Sequence, residues 1–167
     1  RDPVNRPTDG ITLYLVDIDR DSMDIRPIAK MGRNAVASNE VYIDNLRVPE
    51  SARIGDEGAG FRYLLDGLNP ERILIAHEAI GMGRAALDRA VSYAGQRMVF
   101  DRPIGQNQGI QFPLAQAAAD LEAAELLARK AAWMYDQGLP CSKEANMAKL
   151  LCADAGFYAA DRAVQTH

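Results

Sequence analysis

The feature that most constrains this chain is a change of period near residue 57. Before it, β-branched and aromatic residues lie in short runs broken by turn residues. After it, apolar residues recur every three to four positions, which is the helical repeat. A chain of this pattern is expected to be α+β, with a partial antiparallel β domain over 1–57 and an incomplete, up-down helical bundle over 58–167.

The first part predicts three or four strands. Gly10 to Ile18 is rich in β-branched and aromatic residues and follows the turn sequence Pro7-Thr8-Asp9-Gly10. Met23 to Ile28 alternates, and Pro27 marks an edge or a strand end. Glu40 to Val48 reads as a third strand, stopped by Pro49. So few strands are thin for an independent β domain, and the chain reads as a piece of something longer. Gly55-Asp56-Glu57-Gly58-Ala59-Gly60 has the glycine freedom of a phosphate cradle. No Lys-Ser/Thr follows it as a P-loop requires, so it reads as a β-to-α linker.

Three helices are expected beyond the linker. Phe61 to Leu68 can form a helix, and Asn69-Pro70-Glu71-Arg72 is a good helix start of its own; the alternative is one long helix kinked at Pro70. Ile73, Ile80, Leu87, Val91 and Ala94, with Ala76, Gly83 and Ala90 beside them, form the apolar stripe of residues 71–98. Gly81 and Gly83 each cost about 1 kcal/mol of helix propensity against Ala, which predicts close helix–helix approach. Gly81-Met82-Gly83-Arg84 imitates a dinucleotide fingerprint, but no strand precedes it. Phe100 to Gly105 breaks the pattern, a second helix covers about 110–137, and a third starts near Ser142. His77, Trp133, Tyr135 and Tyr158 read as packing residues and His167 as exposed.

Charge and cysteine usage exclude several classes. A net charge of −4 gives no electrostatic footprint for nucleic acid. No apolar run approaches the ~20 residues of a membrane span. Cys141 and Cys152 are too few for a disulfide scaffold or a metal framework. The N-terminus is polar with no secretory signal, so a cytoplasmic location is expected, or the mitochondrial matrix for a eukaryotic parent.

Five stretches in register carry a resemblance. They are Asp44-Asn45-Leu46-Arg47-Val48-Pro49; Gly55 to Phe61; Leu68-Asn69-Pro70-Glu71-Arg72; Arg97 to Ile104 with Gln108 and Gln111; and Val164-Gln165-Thr166-His167. In order and spacing they resemble the acyl-CoA dehydrogenases, from the end of the middle β domain through most of the C-terminal helical domain. The resemblance implies FAD as cofactor and an acyl-CoA substrate. It also implies an electron-transferring flavoprotein as acceptor, and a dimer or tetramer of identical subunits. The implied reaction is α,β-desaturation: a carboxylate removes the α proton and the β hydrogen leaves as hydride to flavin.

The resemblance also implies site residues. Glu71 matches the general base of the isovaleryl and long-chain branches; other branches carry the base in a loop beyond this chain. A first-turn carboxylate would also complement a helix dipole, worth about 0.3–1 kcal/mol, so both readings of Glu71 stand. Glu78 lies two turns on, on the same face, and is the weaker candidate. Arg72 matches an arginine lining the substrate pocket. Arg97, Phe100 and Gln108 match contacts to the FAD of a neighbouring subunit, and Gln165 matches a glutamine reaching the same region. Asp101 stands where the family usually has Gly, and its carboxylate would repel a pyrophosphate. Two other readings are weighed: a catalytically silent helical oligomerisation fragment, and an acyl-CoA oxidase or nitroalkane-oxidase-like flavoenzyme on the same fold.

Overall fold

A computed structural model of the chain describes residues 6–167; residues 1–5 of the expected β domain lie outside the described residues. In order, the elements are β1 (Leu13–Tyr14), β2 (Met23–Pro27), β3 (Asn39–Ile43), β4 (Arg53–Ile54), α1 (Gly60–Gln96), β5 (Met98–Val99), β6 (Arg102–Pro103), α2 (Gln108–Asp136) and α3 (Ser142–Thr166). The fold is α+β, as the change of period predicts. The chain divides into two compact units, 1–64 and 65–167.

In the first unit the ladders are antiparallel pairs. β2 pairs with β3 from Met23↔Ile43 to Pro27↔Asn39, and β1 with β4 through Leu13↔Ile54 and Tyr14↔Arg53. The register puts Met23, Ile25, Val41 and Ile43 on one face of the β2–β3 hairpin and Asp24, Arg26, Tyr42 and Glu40 on the other. Pro27 ends its strand, as a residue without an N–H should. The third predicted strand is shorter than expected: it stops at Ile43, well before Pro49. The strand expected from Gly10 to Ile18 shrinks to two residues.

The glycine-rich run is a linker whose amides are already used. The Gly58 N–H donates to Thr12 Oγ1 at 2.9 Å, the Gly60 N–H to the Ile11 carbonyl at 2.7 Å, and the Ala59 N–H to the Asp56 carbonyl at 3.2 Å. Gly55 has φ +67° and lies under the ring of Tyr63, where a Cβ would come within 2.2 Å of Cε2. The Tyr63 hydroxyl accepts from the Asp56 N–H and donates to the Asp56 carboxylate, both at 3.2 Å.

In the second unit α2 runs antiparallel to both α1 and α3. Across α2 and α3 the partners fall from Lys130–Glu144 to Ala124–Cys152, and across α1 and α2 Gly83 meets Leu121 while Ala90 and Ala94 cluster with Leu114, the falling register of antiparallel neighbours. α1 and α3 are parallel: the 73-residue offset of Asn69–Ser142 recurs at Gly83–Gly156 and shifts by one at Tyr93–His167. The core is built mostly of alanine, with Ala76, Ala117, Ala128, Ala131, Ala145, Ala148 and Ala159 fully buried around Ile73, Ile80, Leu121 and Cys152. Small residues let the helix backbones approach. Gly83 lies with its Cα side 3.0 Å from the Gly156 Cα, measured from an added Cβ, so the predicted close approach falls there. Gly81 has nothing within 4 Å and takes no part in it.

Most of the stripe expected on α1 is buried, but Val91 is exposed and Leu87 half-buried. Trp133 and Tyr135, expected as packing residues, are exposed at 58% and 45%. On α2 the buried stripe runs through Ala124, Ala128 and Ala131, and these two aromatics fall off it. Tyr158 does pack, half-buried, with the Arg162 guanidinium 5.5 Å over its ring.

Candidate functional site

Two groups of polar side chains stand at opposite ends of the second unit. The first lies near the start of α1. This helix continues through Pro70, which has no N–H to give the Asp66 carbonyl. Of the two readings of this region, one long helix is therefore the observed one, and Asn69 caps nothing. Its amide is used instead across the bundle: Nδ2 donates to Ser142 Oγ on α3 at 3.0 Å, while Oδ1 accepts from Arg72 Nη1 at 3.5 Å. Arg72 is half-buried. Glu71 is exposed, and its carboxylate has no hydrogen-bond partner or ion pair among the described residues.

The second group lies where α1 ends and α2 begins. β5 and β6 form a hairpin with the two-residue turn Phe100-Asp101. Their φ angles of +51° and +62° are those of a type I′ turn, the turn whose twist suits such a hairpin. Aspartate tolerates this region, which is how the turn forms without the usual glycine; a phenylalanine there is strained. Phe100 is 94% exposed at the tip. Arg97 precedes the hairpin. Its carbonyl accepts the Ile104 N–H at 2.9 Å, and its guanidinium has no partner among the described residues. Gln108 opens α2 and is exposed. The end of α3 is pinned to the same end: the Tyr93 and His167 rings stack with centroids 4.5 Å apart, and His167 Nδ1 lies 2.8 Å from the Ala163 carbonyl. Gln165 is thereby held at the end of the bundle that carries Arg97. Beside this group lies an apolar groove of about 490 Å³, lined by Leu87, Val91, Ala94, Pro103, Ile110 and Leu114.

The two groups do not meet. Glu71 and Arg97 are separated by roughly 39 Å along α1 at 1.5 Å per residue. An exposed guanidinium, two amides and an exposed aromatic ring form a donor set that suits a pyrophosphate linked to a heterocycle. The Asp101 carboxylate, in the turn of the hairpin, opposes it.

Between the groups lies a charge cluster the sequence reading missed. Glu125 is buried on α2, accepts from Arg129 Nη2 at 2.8 Å and Nε at 3.0 Å, and is ion-paired with Arg84 of α1. The Arg129 hydrogen bonds, with Arg84 beside them, hold its carboxyl below the usual carboxylate range. Burial, helped by the charge of Glu125, pushes the Cys152 thiol up; that thiol donates to the Ala124 carbonyl at 3.4 Å. The signal for this cluster was the Glu125–Arg129 spacing of four residues on a helix otherwise alanine-rich. Among the described residues no cluster of metal-ligating side chains occurs, and no helix is long and apolar enough to cross a membrane. His77 is half-buried, with Nδ1 2.8 Å from the Ile73 carbonyl, as expected of a packed histidine.

This fold has counterparts among known proteins. The model of the acyl-CoA dehydrogenase C-terminal domain matches residues 58–167, and the chain belongs to the acyl-CoA dehydrogenase family. An acyl-CoA dehydrogenase of Bacillus subtilis is 42% identical over 159 residues, covering 95% of this chain and 42% of that protein. The structure of butyryl-CoA dehydrogenase from Megasphaera elsdenii is similar with a TM-score of 0.90 and 31% identity, covering 98% of this chain and 43% of that one. The FAD complex of PigA is similar with a TM-score of 0.91 and 25% identity, covering 99% of this chain and 43% of that one. The chain thus spans about two fifths of the length of the relatives it matches.

Proposed function

We propose that this chain is the part of an FAD-dependent acyl-CoA dehydrogenase that carries the general base on α1 and, roughly 39 Å away, a second set of contacts for the flavin of a neighbouring copy. The observation that carries the reading is the division of the candidate polar side chains into two groups too far apart to serve one site. A single copy cannot bring Glu71 and Arg97 to one flavin ring. Two copies can, each giving its Arg97 group to the other's cofactor.

Glu71 is the group that takes the proton from the carbon next to the thioester. Its carboxylate is free of partners among the described residues and so is available as an acceptor. The desolvation that makes a carboxylate basic would come from the bound acyl chain and from packing beyond this chain. Arg72 lines the substrate pocket beside it. Arg97 offers a two-pronged guanidinium to the pyrophosphate, with Gln108 and Gln165 as amide donors and Phe100 as an apolar face. Bound flavin supplies the acceptor for the β hydrogen and its electron pair, and an electron-transferring flavoprotein takes the electrons on. Assembly of identical subunits is supported by the exposed Leu150, Leu151, Phe157 and Val164 on α3, at 48–77% exposure, while the interior is alanine.

The test is anaerobic addition of a short acyl-CoA to the flavin-loaded enzyme, followed by its visible absorption. The native enzyme is expected to bleach. Glu71→Gln is expected to keep its flavin bands but lose at least about 100-fold in bleaching rate, the usual loss with a general base. Near-normal turnover of Glu71→Gln would assign the base elsewhere.

A further inference from the structure

We infer that Asn69 is a positioning residue for Arg72 and that Ser142 anchors it from α3. This rests on the reading of Arg72 as a substrate-pocket residue. The argument begins with the helix. Because α1 runs unbroken through Pro70, the Asn69 side chain is not consumed as a cap, and it is half-buried against α3. A primary amide has one acceptor and one donor end, and both are engaged here in opposite directions. Nδ2 reaches Ser142 Oγ at 3.0 Å and Oδ1 receives Arg72 Nη1 at 3.5 Å. The donor end fixes the direction of the acceptor end. The Ser142 anchor is itself stiff: its carbonyl accepts from the Asn146 side-chain amide at 2.6 Å, within the first turn of α3. A flexible arginine stem loses rotamer freedom when one prong is held in this way, and a held guanidinium pays less of that entropy on binding substrate. Asn69 therefore acts on substrate affinity through Arg72, with no contact to the reacting atoms.

The experiment compares steady-state kinetics of the flavin-loaded enzyme in five forms: native, Asn69→Leu, Asn69→Asp, Arg72→Ala, and Asn69→Leu with Arg72→Ala. Leucine keeps the volume and loses the amide; aspartate keeps the acceptor for Arg72, and its second oxygen can accept from the Ser142 hydroxyl, so the anchor is kept with the donor reversed. The expected result is a KM about fivefold higher in Asn69→Leu with kcat within about twofold, the scale of one hydrogen bond. Asn69→Asp should stay near the native KM, and Asn69→Leu should add nothing once Arg72 is alanine. A structural role alone would be rescued by leucine and not by aspartate. An unchanged KM in Asn69→Leu alongside a raised KM in Arg72→Ala would overturn the inference and leave the reading of Arg72 intact. An unchanged KM in Arg72→Ala would overturn both. Should Asn69→Leu fail to fold, Ser142→Ala removes only the anchor at an exposed site. It is expected to raise KM in the same direction, and a KM equal to native would overturn the inference.

Discussion

Gly156→Ala is the substitution for which the structure makes the sharpest demand. A Cβ built on Gly156 lies 2.6 Å from the carbonyl oxygen of Ala79 and 3.2 Å from its carbon, where ordinary contact begins at 3.4 Å. The obstacle is the backbone of α1, which cannot swing away as a side-chain tip can. The two parallel helices must therefore separate by about 0.8 Å, a gap that forfeits a quarter to a half of each dispersion contact across the seam. Overpacking of this kind costs about 3 kcal/mol, the upper end of its usual range. Replacing a helical glycine by alanine returns about 1 kcal/mol, leaving a net loss of about 2 kcal/mol. Gly81→Ala is the internal control. It lies on the same helix as Ala79, is exposed and has nothing within 4 Å, so only the propensity gain of about 1 kcal/mol applies. Urea unfolding followed by far-UV circular dichroism should give midpoints that move in opposite directions. Thermal midpoints should move by roughly 2–4 °C per kcal/mol in a chain of this size. If both substitutions stabilise, the α1–α3 seam is not as tight as described and the close-approach argument fails.

Two further outcomes follow from the charge cluster and the buried thiols. Because Glu125 has its acidity raised by Arg129 and Arg84, its contribution is present above the unfolded carboxyl pKa and is lost as pH falls through the lower folded value. Native protein should therefore lose urea stability on acidification below about pH 5 more steeply than Glu125→Gln; parallel pH profiles would contradict the assignment. Cys141 and Cys152 are buried at 3% and 0% exposure, and burial pushes the Cys152 thiol up, so a thiol reagent should label neither quickly until denaturant is added. Rapid labelling of Cys152 in the native protein would mean that the α2–α3 seam opens.

Periodicity made the helices legible because an alanine-rich stripe has few ways to be buried. The boundaries near Gln108, Asp136 and Ser142 fall within about two residues of those read from the pattern. Strand length was less legible. The run from Gly10 to Ile18 has strand composition, but its ladder covers Leu13 and Tyr14, with an isolated bridge at Ile11, and pairing is a property of two segments. The β5–β6 hairpin was hidden for a related reason. Phe100-Asp101 is not a turn pair that propensity would suggest, and its two positive φ values arise from joining strands that the ends of α1 and α2 hold in register.

The site divides in the same way. Glu71, Arg72, Arg97, Phe100, Gln108 and Gln165 were picked out as candidates by the family resemblance, and not by residue type and spacing alone. Asn69 and Glu125 were not, since their roles depend on Ser142 and Arg84, on other helices. By itself the sequence determined the α+β division, the three helices and their alanine-rich stripes, all local in period or composition. The tertiary structure alone decided that Gly83, and not Gly81, meets α3, that Pro70 is carried inside one helix, and that Glu71 stands within that helix, far from Arg97 just past its end. Those outcomes depend on which backbone lies opposite which, and a linear pattern carries no information about a neighbour 73 residues away.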